Sequence, residues 1–143
     1  FGVSANSEKF MVKQAEKRGV TKDIITAYVS KDGAVTFKGK LRKDAVNPIV
    51  KIELENNRQG YMDNNTAWFK NVLTKIQSEY NFDKFNFVGH SMGNLTFAQY
   101  MMTYGNDKSL PQLNKQVNIE GTFNGAKYLW RFERWYTFRR QSV

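Results

Sequence analysis

The run FNFVGHSMGN, residues 85–94, limits what this chain can fold into more than any other stretch. Gly89-His90-Ser91-Met92-Gly93 fits G-x-S-x-G, a strand-to-helix turn so sharp that the serine hydroxyl stands out at the end of a sheet. Glycine is expected at 89 and 93 because a side chain at either position would crowd a strained turn. Five positions with three fixed recur by chance, so the flanks decide. Phe85, Phe87 and Val88 form a short apolar run of the kind found in parallel strands buried on both faces. Asn94 to Tyr104 follow, with Leu95, Ala98 and Met102 at helical spacing. Strand, turn and helix come in the order the pattern needs.

The rest of the chain supplies the layers around that turn. Ser7 is placed to cap a first helix over about 7–18, with Phe10, Met11 and Ala15 on one side and Gly19 as its left-handed stop. Ile24 to Val29 reads as a strand, and Lys31-Asp32-Gly33 turns the chain into Val35-Thr36-Phe37, a hairpin partner. Val50, Ile52 and Leu54 alternate with Lys51, Glu53 and Glu55, which predicts a strand with one wet face. From Asp63 a second helix is expected. Trp68, Val72, Ile76 and Tyr80 lie four apart there, with Phe69 and Leu73 beside them, a wide buried stripe. Gln116 to Ile119 give a last short strand. Helices alternating with strands predict an α/β chain with crossover connections.

Composition bounds the chemistry. The 143 residues suffice for one domain, and 41% hydrophobic with 15% aromatic content speaks against disorder. With no cysteine and one histidine there is no disulfide framework, no thiolate site and no His-rich zinc centre, so no metal and no other cofactor is expected. No apolar run reaches 18 residues and no basic-then-apolar leader is present, so neither a membrane-spanning helix nor a signal peptide is expected within these residues. The net charge of +9 favours anionic surfaces such as lipids, wall polymers or nucleic acid. Part of it is local: residues 126–143 carry Lys127, Arg131, Arg134, Arg139 and Arg140 against Glu133, a net +4 of the total, and the remaining +5 is spread over the other 125 residues. Trp130, Phe132, Trp135, Tyr136 and Phe138 between those arginines suit a membrane-surface helix or a base-stacking platform. Without an accompanying nucleic-acid motif, specific nucleic-acid binding is not expected, and a helix packed on the sheet edge, or a disordered artefact of translation, is preferred.

The stretches GVSANSEKFMVKQAEKRGVTKDIITAYVS, AVNPIVKIELE and FNFVGHSMGNLTFAQYMMTYGNDKSLPQLNKQVNIEGTFNG, with the spacing between them, resemble the cell-surface α/β-hydrolases of Gram-positive bacteria. That family's substrates are largely unassigned. The similarity covers about residues 2–125 and implies a partial α/β-hydrolase fold, a mostly parallel sheet flanked by helices, with a hairpin insertion. Residues 126–143 lie outside the family pattern. By this resemblance Ser91 is the nucleophile, the backbone N–H of Met92 is one oxyanion donor, and Phe1 stands where the second donor belongs. Gly89, His90 and Gly93 complete the elbow. The resemblance also implies an extracellular or cell-surface location and a small-molecule or lipid ester as substrate.

Three departures from the family set further expectations. Phe1 is an amine rather than a fixed amide in this chain, which places that donor poorly. The family's strand between Ile24–Val29 and Phe85–Val88 has no counterpart, so each of these two strands is expected to show an unpaired edge and the chain to be oligomeric or aggregation-prone. Glu120 replaces a small apolar residue.

A serine hydroxyl needs a base, normally a histidine held by a carboxylate, and the family brings both from further along the chain. His90 is the one histidine here, and in such a turn its ring is expected to point away from the neighbouring hydroxyl. Two functions from different classes follow. One is a serine hydrolase of esterase or lipase type, with the nucleophile and half an oxyanion hole on this chain. The other is an inactive fragment that binds anionic surfaces through its basic tail.

Overall fold

The computed structural model describes residues 6–55, 62–121 and 123. Phe1 and residues 126–143 therefore lie outside the described residues. Among those described, three helices and five strands alternate: α1 (Asn6–Lys17), β1 (Ile24–Val29), β2 (Val35–Lys38), β3 (Ile49–Leu54), α2 (Met62–Tyr80), β4 (Lys84–His90), α3 (Met92–Tyr104) and β5 (Gln112–Ile119). The strands form two sheets, one ordered β2-β1-β3 and the other β4-β5. β1 runs parallel to β3 and antiparallel to β2, and β4 runs parallel to β5.

β1 is the most deeply buried strand, with Ile25, Ala27 and Val29 at 1% exposure or less. It was expected to border a gap, but it is the central strand, paired on both sides. Among the described residues the strands paired on one side only are β2 and β3 of the first sheet and β4 and β5 of the second, so β4 keeps the free edge expected of it and β1 does not. The hairpin forms as read. Gly33 turns it at φ 85, a conformation that strains any residue with a Cβ, and a Cβ there would meet the Trp68 ring at 2.8 Å. Asn71 Nδ2 donates to the Gly33 carbonyl at 3.0 Å, so the turn is seated on α2.

The wide stripe of α2 is divided between two cores. Trp68, Val72 and Ile76 pack on Ala27 and Val29, with Val50 and Leu54 of β3 alongside. Phe69 and Leu73 face the other way, onto Phe97 and Tyr100 of α3 and Phe85 and Phe87 of β4. Aromatic geometry dominates this second core. Phe87 stacks on Phe97 with centroids 3.7 Å apart, and Phe69 meets Tyr100 edge-on at 4.8 Å. One helix thus holds the two sheets through opposite sides of its apolar surface.

Several faces differ from the sequence pattern. β4 is covered on one side only. Lys84, Asn86 and Val88 are exposed, because α2 and α3 pack on the Phe85 and Phe87 face. α3 buries Asn94, Phe97 and Tyr100, whereas Met102 is 77% exposed and Leu95 and Ala98 are only partly covered. β3 shields Val50 and Leu54 but leaves Ile52 exposed, so its alternation is incomplete. β5 begins at Gln112, four residues before the apolar part of its sequence, because register with β4 extends back to Lys84. α1 starts at Asn6, which places Ser7 inside its first turn. It ends before Gly19 at φ 72, and Phe10 is exposed.

The start of β1 is anchored by charge. Asp23, with its side chain 4% exposed, receives Arg42 Nε–H on one oxygen and Arg42 Nη2–H on the other, both at 2.8 Å. The hydrogen bonds and charge of Arg42 hold the Asp23 carboxyl below the usual carboxylate range, against the opposing effect of burial. A carboxyl depressed on folding contributes stability that is present above its unfolded value near ~4 and is lost as the pH falls through the folded one. Arg42→Met is therefore expected to lower the melting temperature at pH 7, with the difference from the parent narrowing below about pH 4. Melts between pH 7 and pH 3 that kept the difference constant would assign the loss to packing instead.

Candidate functional site

β4, α3 and the end of β5 converge on Ser91. The chain leaves β4 at His90 and enters α3 at Met92, so one residue makes the whole change of direction. Ser91 does so at φ 49 and ψ −120, a conformation that costs a residue with a side chain about 1–3 kcal/mol and persists only where the surroundings enforce it. A serine in front of a helix ordinarily spends its hydroxyl on the first free N–H groups. Ser91 makes no such side-chain capping bond, and it is half-buried. Its oxygen is thus held at a strained corner without being used by its own helix.

The surroundings that enforce the corner come from β5. The Ser91 N–H donates to the Ile119 carbonyl at 3.0 Å, and the Asn94 side chain donates through Nδ2 to the same carbonyl at 2.9 Å. The Asn94 N–H closes the turn onto the Ser91 carbonyl at 3.1 Å. Asn94 is fully buried. Met92 is the first residue of α3, where helix geometry leaves the N–H without an acceptor in its own helix and the positive end of the helix dipole accumulates.

The two glycines are not equivalent. A Cβ on Gly89 would collide with Asn94 Oδ1 and would lie 2.5 and 2.8 Å from Phe87 ring carbons, so glycine is required there by crowding. Around Gly93 a Cβ would meet nothing within 4 Å. The expectation that both glycines avoid crowding holds for Gly89 only, because Gly93 sits on the exposed side of the first turn of α3.

His90 is engaged at the end of β5. Its ring Nε2–H donates to Glu120 Oε2 at 3.1 Å, tying the end of β4 to the residue just after β5. Glu120 reaches back by adopting φ 49. Sequence reading noted Glu120 only as an unusual residue and missed Asn94 altogether. The available signal was a short polar side chain in the first turn of α3, three residues after the serine. Phe1, the expected second donor, lies outside the described residues.

Known proteins share the family and the fold. The model of a family described as "Alpha/beta hydrolase of unknown function (DUF915)" matches residues 1–139, so the match extends past residue 125 into the stretch expected to lie outside the family pattern. The solved structure of the lin2722 gene product of Listeria innocua is similar at a TM-score of 0.77 and 35% identity, over 86% of this chain and 49% of that one. That of a "putative cell surface hydrolase" from Lactobacillus plantarum WCFS1 is similar in fold at a TM-score of 0.75 and 23% identity, over 86% of this chain and 51% of that one. The chain spans about half the length of these two structures. A search of the curated proteins finds no match. With the partial α/β-hydrolase fold in place and the family model covering nearly all its residues, the chain belongs to the alpha/beta hydrolase family of unknown function (DUF915).

Proposed function

We propose that Ser91 is the nucleophile of a serine hydrolase of esterase or lipase type, and that this chain carries the nucleophilic half of its site. The observation that supports this reading best is the backbone of Ser91, strained at φ 49 between a parallel strand and a helix with its hydroxyl unspent on the cap. In the reaction Ser91 Oγ attacks the ester carbonyl carbon and loses its proton to a base. The negative charge that develops on the carbonyl oxygen is met by the Met92 N–H, reinforced by the start of α3. Collapse of the tetrahedral adduct releases the alcohol and leaves an acyl group on Ser91. Water then repeats the attack and frees the acid.

The base is the part this chain does not supply. His90 is the one histidine of the sequence and its ring is engaged by Glu120. The solved relatives are about twice as long, and a histidine with its carboxylate from such additional chain would complete the triad. By likeness to the Lactobacillus protein, which is named a "putative cell surface hydrolase", the site would act at the cell surface or outside the cell. Small or lipid esters are the substrates proposed for a nucleophile of this type. With one edge of β3 and one of β4 unpaired among the described residues, the 143-residue chain alone would self-associate. A second reading, an inactive fragment that binds anionic surfaces, draws on the +9 charge.

Trapping separates the two. An alkyl fluorophosphonate should modify the chain slowly and the Ser91→Ala variant not at all. Equal modification of both would remove Ser91 from the chemistry. Binding to anionic vesicles with no trapping would favour the second reading.

A further inference from the structure

Asn94 is the most deeply buried polar side chain at the site, and it is bonded in an unusual way. Its Nδ2 donates to Ile119, while its Oδ1 is buried with no hydrogen-bond partner among the described residues. An orphaned buried acceptor is destabilising, so an asparagine here is a poor choice for the stability of the fold. An apolar side chain of similar shape would avoid that cost. The polar residue therefore needs another reason.

The geometry supplies one. The Ile119 carbonyl accepts from two donors, the strained Ser91 N–H and Asn94 Nδ2. Asn94 lies one helical turn after Ser91 and closes the corner through its own N–H to the Ser91 carbonyl. Its Oδ1 also occupies the space where a Cβ of residue 89 would be. Three contacts from one residue thus brace both sides of the corner, on the Ser91 carbonyl, on the carbonyl that holds Ser91, and against Gly89.

We infer that Asn94 is the positioning residue that locks the Ser91 corner to the end of β5, keeping Ser91 at its strained φ against the stability of the fold. The side chain touches no reacting atom. It acts through Ser91, and this inference rests on the reading of Ser91 as nucleophile for its catalytic meaning.

The test uses the 143-residue chain and its Asn94→Leu variant, with Asn94→Ser as a second substitution should the leucine disturb folding. Amide hydrogen exchange at Ser91, followed by NMR, reads the lock without reference to activity. Exchange at Ser91 is expected to quicken about tenfold in Asn94→Leu, the factor that the loss of one hydrogen bond supports, while Val72 in α2 is unchanged and the melting temperature holds or rises. The fluorophosphonate labelling rate is expected to fall on the order of 10- to 100-fold, the cost of misplacing a reacting atom by a fraction of an ångström to an ångström. Unchanged exchange at Ser91 in both variants, or faster exchange spread evenly over the chain, would overturn the inference. Faster exchange at Ser91 in a protein whose parent is never labelled would instead uphold the lock and refute the nucleophile.

Discussion

The 143-residue chain is expected to hydrolyse nitrophenyl esters about a million-fold more slowly than a complete serine triad would, the usual cost of losing the general base. A serine hydroxyl with its proton in place is a weak nucleophile, and the corner at Ser91 improves its position without changing its acidity. What the chain retains is placement and the Met92 N–H, which in a triad lacking its base still leave roughly 10³–10⁴ over the reaction in water. Imidazole added to the solution should stand in for the missing base. Turnover is then expected to rise in proportion to its concentration, and Ser91→Ala should abolish the rise. Turnover at an ordinary enzymatic rate of about 1–10³ per second without imidazole would contradict this account. It would place the base on His90, held by Glu120 at 3.1 Å.

The second large effect separates two glycines that look alike in sequence. Gly89→Ala should cost about 3 kcal/mol, the upper end for forcing extra atoms into a packed site, and lower the melting temperature by about 10 °C. The reason lies in what surrounds it. Phe87 cannot retreat, because its ring is stacked on Phe97 at 3.7 Å, and Asn94 cannot retreat without releasing Ile119. Gly93→Ala should instead be neutral or stabilising by up to about 1 kcal/mol, since alanine favours the helix and nothing stands within 4 Å of the new methyl. Thermal melts of the two variants decide the matter, and equal losses would show that the first turn of α3 is more crowded than the structure has it.

What was legible in the sequence was whatever is decided locally. Ile24–Val29 is strand because β-branched and aromatic residues fill every position but Ala27, and its bounds match the structure. The corner at Ser91 is legible because a reversal from strand to helix in one residue demands particular neighbours, and Gly89 is one of them. Long-range choices were not legible. In α3, Leu95, Ala98 and Met102 make one helical stripe and Phe97, Tyr100, Met101 and Tyr104 another. Periodicity cannot choose between them, and the aromatic stripe wins because it meets Phe69 and Phe87. The pairing of β3 beside β1 is likewise a matter of where the chain returns, which no pattern within either strand records. Asn94 escaped notice because a polar residue on a helix reads as a wet face, and only its burial beneath Gly89 shows otherwise.

The central claim, that Ser91 is a nucleophile held ready by its backbone, is tested most directly by mapping the residue that an alkyl fluorophosphonate modifies. Trypsin should release the elbow in one peptide spanning residues 85–108, between Lys84 and Lys108. Mass spectrometry over a time course, with and without imidazole, is expected to show one phosphonyl adduct in that peptide, located on Ser91, accumulating faster with imidazole. An unmodified 85–108 peptide, or adducts distributed over other serines at the same rate, would contradict the account.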